Sequence, residues 1–281
     1  MGTKLSGMNP VAGATVLITG GARGMGELFA RRAIAGGARA IALWDVDEDA
    51  ASALASDLRG SGVDVRAYRV DISRQEEIVE ALARMRDEIG VPDILVNNAG
   101  IVRAGVFWEN DPQRDIEATM RVNTLAAMWL TREVLPAMIA DTSRPKRILN
   151  VASAAGTLAN PNMSVYAASK WAMIGWSESV RLELVKSGHG HVAITTFCPS
   201  YVSTGMFAGA RGPLLTPIMT PRQATHAAWQ GMVRGTPMVL RPWTVKLAMA
   251  ARGVLPTRVW DVLAARVFQV YSSMDHFTGR S

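Results

Sequence analysis

A doubly wound α/β domain, with a parallel sheet carrying helices on both faces, is the fold class predicted by three features of this sequence. Short apolar runs alternate with helix-patterned stretches through roughly the first two hundred residues. Those runs are almost continuously apolar, as strands covered on both faces must be. A glycine-rich turn closes the first run and leads straight into a helix.

The strands are read at Thr15–Thr19, Ala40–Trp44, Val65–Val70, Ile94–Val96, Arg147–Val151 and Val192–Phe197, most of them followed by Gly, Asn, Asp or Ser. Helical patterns fill the gaps at Gly26–Ala35, Glu48–Leu58, Arg74–Ile89 and Asp115–Met138. Right-handed crossovers then wind the chain over both faces of the sheet. No internal repeat and no Pro-, Gly- or Ser-rich linker divides the 281 residues, so 1–281 reads as a single domain. After Thr204 the alternation weakens. Gly205–Pro217, rich in Gly and Pro, suits a mobile loop, and Thr220-Pro221 supplies an N-cap and first-turn proline for a helix to about Arg234. Residues 238–281 form an amphipathic extension of two short helices broken at Pro256.

Composition narrows the function classes. Hydrophobic residues make up 49% and charged residues 19%, a globular balance. No apolar run reaches the roughly 18 residues of a membrane span, and Met1–Pro10 is polar, without a signal core. One cysteine, Cys198, excludes an internal disulfide, so the cytoplasm is the expected compartment. Met1-Gly2-Thr3-Lys4-Leu5-Ser6 matches an acylation pattern, but patterns this short match often. The formal charge is +6, and from Arg241 onward six basic residues face two acidic ones. The basic residues are interleaved with Trp243, Leu247, Val254 and Val259, which suits an amphipathic surface rather than a groove tracking nucleic acid. A solvated helix face is the plainer reading of that surface, and peripheral membrane contact the sharper one. His189, His191, His226 and His276 have no ligand-like spacing, and no metal is expected.

The first strand ends in Thr19-Gly20-Gly21-Ala22-Arg23-Gly24-Met25-Gly26. Gly20 permits the tight turn, Gly24 lets backbone approach a pyrophosphate, and Gly26 allows close helix–strand packing. Amide groups at the helix start then face the anion. Asp45 follows the second strand, 19 residues beyond Gly26, where a carboxylate can accept both ribose hydroxyls of NAD. It would repel a 2′-phosphate by about 4 kcal/mol at about 4 Å and an effective dielectric near 20. Arg23 pulls the other way, towards NADP. NAD is the favoured cofactor. Asp71, ending the third strand, either caps the chain or accepts from the adenine amine.

Tyr166-Ala167-Ala168-Ser169-Lys170 carries the chemistry. Four residues apart on a helix, the phenol and the amine share a face. An ammonium beside a phenol is expected to lower its pKa from near 10, so that Tyr166 can take or give a hydroxyl proton while hydride moves at carbon.

From Val16 to about Thr204 the chain resembles the short-chain dehydrogenase/reductase family. The likeness rests on the turn at Thr19–Gly26, on Asn97-Asn98-Ala99-Gly100 after the fourth strand, on Asn123, on Ser153 thirteen residues before Tyr166, and on Tyr166-x-x-x-Lys170. It implies a Rossmann fold with a seven-stranded parallel sheet. It implies that Ser153 binds the substrate oxygen beside Tyr166, that Lys170 holds the nicotinamide ribose, and that Asn123 holds a water linking Lys170 to solvent. Ala22, Arg23, Met25, Ile72, Asn98, Ala99, Gly100, Pro199, Val202 and Thr204 would line the cofactor, with Asn97 steadying its strand. Residues 205–235 would form a substrate-binding loop and helix. One departure stands out: Pro199-Ser200 occupies a position where the family usually has Pro-Gly.

The segment around Val239–Trp243 and Ser273–Phe277 is similar, more loosely, to the ends of retinol and 17β-hydroxysteroid dehydrogenases. The resemblance implies interconversion of a small lipophilic alcohol and its carbonyl in a homodimer or homotetramer, with Trp171, Met173 and Trp176 as core or oligomer contacts on a helix that packs between subunits. An NADPH-dependent reductase of 3-oxoacyl or quinone-like carbonyls is the enzymatic alternative. A cofactor-sensing or lipid-associated scaffold is the non-enzymatic one, opposed by the full set of Asn123, Ser153, Tyr166 and Lys170.

Overall fold

Residues 7–214 and 216–279 are described by the computed structural model, and the acylation-like pattern at Met1–Ser6 lies outside them. Seven strands form one parallel sheet: β1 (Thr15–Thr19), β2 (Ala40–Asp45), β3 (Asp64–Arg69), β4 (Ile94–Asn97), β5 (Lys146–Val151), β6 (Val192–Pro199) and β7 (Met238–Arg241). Their order in space is β3-β2-β1-β4-β5-β6-β7. The chain therefore winds outward from β1, returns to lay β4 against β1, and winds outward the other way. That reversal opens a crevice at the carboxyl ends of β1 and β4, where ligands of open α/β sheets bind.

Alternation along each strand divides the core. Val16 and Ile18 pack on one face with Phe29, Ala30 and Ala33 of α1 (Gly24–Ala35), Leu54 of α2 (Glu48–Leu58), and Trp229 and Met232. Leu17 and Leu95 pack on the other with Ile78, Leu82 and Met85 of α3 (Gln75–Ile89). The same face receives Leu130 and Val134 from the next helical stretch, residues 112–140. There α4 (Ala118–Met120) and α5 (Ala126–Ala140) alternate with π turns at Pro112–Glu117 and Arg121–Leu125. The second π turn carries Asn123, fully buried. Wide turns of this kind inside α-helices are frequent at functional sites.

The helix of the Tyr/Lys pair, α6, runs from Ser164 to Lys186. Helix α7 (Pro221–Arg234) starts as the sequence indicates, with Thr220 and Gln223 exchanging bonds in a full capping box. The first four residues of the 238–281 extension are β7, paired in parallel with β6. The rest holds α8 (Trp243–Val254) and α9 (Thr257–Val262), separated near Pro256.

Candidate active site

At the β1–α1 turn, Gly20 and Gly24 adopt φ of +61° and +59°, a region open mainly to glycine. No side chain caps the start of α1, and a Cβ on Gly24 would meet no atom within 4 Å. The turn thus presents bare backbone to open space. Beside it, Thr19 Oγ1 accepts from the amides of Asn98 and Ala99, both at 3.1 Å. Asn98 Nδ2 donates to the carbonyls of Thr19 and Gly20 at 3.0 and 3.1 Å, which leaves its buried Oδ1 without a partner. An open glycine cradle and an orphaned acceptor next to it fit the pyrophosphate and nucleoside of a dinucleotide.

Asp45 stands at the end of β2, taking the Ala22 amide on Oδ2 and the Asp47 amide on Oδ1, each at 3.1 Å. Arg23 does not face outward alone: its guanidinium pairs with Asp47 at 2.7 Å. Met25 packs against the core cluster. Asp71 caps its own turn, accepting from Ser73 N at 2.9 Å, and the neighbouring Ile72 is buried. Pro199 ends β6, and Ser200 donates its amide to Arg241 O at 2.8 Å. No positive φ occurs at Ser200, so the serine occupies the family's glycine position without backbone strain. The Val202 side chain is packed into the core, and the Thr204 amide donates to Val202 O at 2.8 Å.

Of the expected catalytic set, Ser153 hydrogen-bonds Tyr166, while Asn123 and Lys170 meet at Gly100. A Cβ there would lie 3.2 Å from Asn123 Oδ1 and 3.6 Å from Lys170 Nζ. Asn123 clamps Ile101 from both sides, accepting its amide at 2.8 Å and donating to its carbonyl at 2.9 Å, while also donating to Ser169 Oγ at 3.1 Å. Both amide protons are engaged, but Oδ1 keeps a lone pair on the side of Gly100 where the lysine lies. Lys170 Nζ donates to Val151 O at 3.0 Å and sits 5.8 Å from the centre of the Tyr166 ring. Ser153 Oγ accepts from Ala155 N at 3.1 Å and hydrogen-bonds the Tyr166 hydroxyl.

The electrostatics correct one expectation. Burial pushes the Tyr166 phenol up to about 12, only partly opposed by its hydrogen bond with Ser153, instead of the ammonium drawing it down. Burial also brings Lys170 down to about 8. Both groups are almost wholly removed from solvent, and desolvation outweighs a lysine whose Nζ is turned to a main-chain carbonyl.

Next to Ser153 opens an apolar pocket of about 150 Å³, lined in part by Met163, Phe207, Leu214, Trp243, Leu247 and Trp260. Phe207 meets the Tyr166 and Tyr201 rings edge-on at 5.8 and 5.4 Å. Sequence reasoning missed Asn160 and Tyr201 on this wall and Ser273, which hydrogen-bonds both, since nothing in their spacing ties them together. It also missed the buried ladder from Asn97 through Asn150 to Ser177, with bonds of 2.8 Å, which locks β4 to β5 and α6. Among the described residues no group of three or more His, Cys, Asp or Glu could hold a metal.

Fold and cleft together define a Rossmann-type oxidoreductase that binds a nicotinamide cofactor. The short chain dehydrogenase family model matches residues 14–213. Estradiol 17-beta-dehydrogenase 11 of Rattus norvegicus is 34% identical over 258 residues, covering 92% of this chain and 85% of the relative. Epidermal retinol dehydrogenase 2 of Mus musculus is 32% identical over 273 residues, covering 96% and 87%. Among solved structures, a short chain dehydrogenase/reductase from Burkholderia phymatum in complex with NAD superimposes with a TM-score of 0.79 at 24% identity, covering 88% of this chain and 95% of that one. A short-chain dehydrogenase from Sphingobium yanoikuyae in complex with NADPH does so with a TM-score of 0.73 at 29% identity, covering 91% and 97%. The chain belongs to the short-chain dehydrogenase family.

Proposed function

We propose that this protein interconverts a lipophilic alcohol and its carbonyl, with Ser153, Tyr166, Lys170 and Asn123 handling the proton. The observation that carries the reading is a buried serine that lines an apolar pocket and hydrogen-bonds a buried phenol, with a buried lysine 5.8 Å from the centre of the phenol ring. The steroid and retinol dehydrogenases among its relatives support an apolar substrate. When bound, the nicotinamide cofactor supplies or accepts the hydride. Ser153 Oγ turns its proton from Tyr166 to the substrate oxygen and orients it. Tyr166 Oη gives its proton to that oxygen in reduction and takes it back in oxidation. Lys170 replaces the proton, and a water between its Nζ and Asn123 Oδ1 continues the relay. The Gly20–Gly26 turn and Asn98 to Gly100 hold the dinucleotide, and residues 205–235 with the extension close the substrate side.

The protonation states set the pH dependence. A phenol near 12 keeps its proton throughout the neutral range, and a lysine near 8 is charged below that value and neutral above it. Reduction of steroid, retinoid or long-chain carbonyls with hydride-labelled cofactor is therefore expected to hold a constant kcat/KM up to about pH 8. Above that point it falls, as Lys170 loses the proton that recharges Tyr166. If no carbonyl in the panel acquires label, the reading is wrong.

NAD is the cofactor proposed, because Asp45 places a carboxylate at the end of β2 and Asp47 already neutralises Arg23. Asp45→Ala is expected to move the ratio of kcat/KM for NADPH over NADH upward by about tenfold or more. An unchanged ratio would place discrimination elsewhere.

Two surfaces support association. Helix α6 leaves Leu182 and Val185 exposed, which suits a homo-oligomer contact. The extension exposes Trp243, Leu247, Val254 and Val259 among Lys246, Arg252 and Arg258, which suits peripheral contact with an anionic membrane. No helix among the described residues is long and apolar enough to cross a membrane. Analytical sedimentation with and without anionic vesicles is expected to show a dimer or tetramer that floats with the vesicles. A monomer indifferent to lipid would dismiss both surfaces.

A further inference from the structure

We infer that Trp260 sets the upper limit on the length of apolar tail that the substrate pocket accepts. The inference rests on the alcohol–carbonyl reading above and adds to it the residue that selects among lipophilic substrates.

The buried part of the pocket lining falls into separate groups. Ser153 and Met163 mark the chemical end, where Met163 packs with Tyr166 in one cluster. Leu158 and Trp260 belong to another cluster, packed with Ala248, Ala251 and Val270, and all five line the pocket. The space between the two clusters is the room left for the apolar remainder of a substrate whose oxygen lies at Ser153. Helix α8 borders that room with Thr244, Ala248 and Ala251, and from the first to the last it rises about 10 Å. Each alanine offers only a methyl group, so the largest side chain facing the room in this cluster is the indole of Trp260. Leu214, Trp243 and Leu247 are the exposed members of the lining and mark where the pocket opens, whereas Trp260 is buried.

The indole is also held in place. Its N–H, the one polar group of the ring, donates to the Tyr271 hydroxyl, which in turn donates to Asp261 Oδ1 at 2.6 Å. A ring anchored in this way and packed with Leu158 and Ala264 does not swing aside for a longer ligand. A tail that reaches it meets a fixed wall. One methylene too many in an apolar pocket changes kcat/KM by about ten- to two-hundredfold.

The test measures kcat/KM, with NADH and with NADPH, for straight-chain methyl ketones of increasing length, using the whole protein and its variants. The parent is expected to improve with each methylene up to a limit and then to fall by at least about tenfold. Trp260→Ala is expected to move that limit to longer chains while ketones well short of it react as before. Ala251→Leu, which adds bulk to the same stretch, should move it to shorter ones. Should a thermal melt show that Trp260→Ala does not fold, Trp260→Phe keeps an aromatic ring in the cluster and should move the limit in the same direction by less. No limit in the parent, or a limit unmoved in a folded Trp260 variant, overturns the inference and leaves the dehydrogenase reading standing. If no ketone of any length is reduced, that reading falls, and calorimetric affinities of the same ketones for parent and variant decide on Trp260 alone. An affinity profile that does not shift, or no binding at all, then overturns the inference as well.

Discussion

Tyr166→Phe is expected to lower turnover by about a thousandfold while leaving cofactor affinity nearly unchanged. The substitution removes one oxygen and keeps the ring, which is packed with Met163 and Met274 and meets Phe207 edge-on, so the pocket wall survives. What disappears is the proton donor beside Ser153. Lys170 does not replace it, since its Nζ points to Val151 O. Cofactor titration followed by tryptophan fluorescence and a thermal melt should match the parent, and single-turnover hydride transfer should not. A variant that still turns over at the parent rate would remove Tyr166 from the chemistry.

Gly26→Ala carries the largest expected effect on structure. A Cβ at Gly26 would lie 2.0 Å from the carbonyl oxygen of Gly20 and 2.9 Å from the Cα of Gly21, both backbone atoms. Neither can rotate aside, so the turn must open or α1 must lift from the sheet. The cost should exceed the range of about 1–3 kcal/mol usual for an overpacked core. Chemical denaturation should show the loss of stability, and NADH titration should show affinity falling with it. Gly24→Ala separates backbone strain from collision, because its φ of +59° strains an alanine while the space around it is empty. That variant should fold and bind cofactor more weakly. Equal stability of the parent and Gly26→Ala would refute the close-packing argument.

The contrast between these glycines also shows what could be read from the sequence. Their roles follow from position on a strand–turn–helix junction, where the demands on the backbone are local. Strand β1 and helix α2 have the bounds their hydrophobic patterns indicate, and Thr220-Pro221 opens α7 for the same local reason. Strand β7 is different. Only Leu240 of its four residues is buried and the segment shows no alternation, so pairing with β6 defines it, and pairing is not written in a single segment. The π turn at Arg121–Leu125 escaped for a related reason, since the apolar spacing of residues 115–138 resembles an ordinary helix.

At the cleft, spacing was enough to group Tyr166 with Lys170 and to expect Ser153 beside them. It was not enough to rank the forces on the phenol. Four residues on a helix indicate that an ammonium is near, but only the packed neighbours reveal how dry the site is, and dryness prevails. The Asn160–Tyr201–Ser273 network was likewise beyond reach, because its members lie 41 and 72 residues apart and meet only when the chain end folds back.

That return of the chain splits the molecule into two separable inheritances. Every residue assigned to the pyrophosphate turn, the adenosine end and the Tyr/Lys pair precedes Trp171, whereas the outer pocket wall is drawn from Ser200 to Val270. Exchanging the segment beyond Thr204 for that of a relative would retune which molecules are admitted and leave the residues assigned to the cofactor in place. Diversification of such a scaffold can therefore proceed at one end of the gene with the redox chemistry held constant.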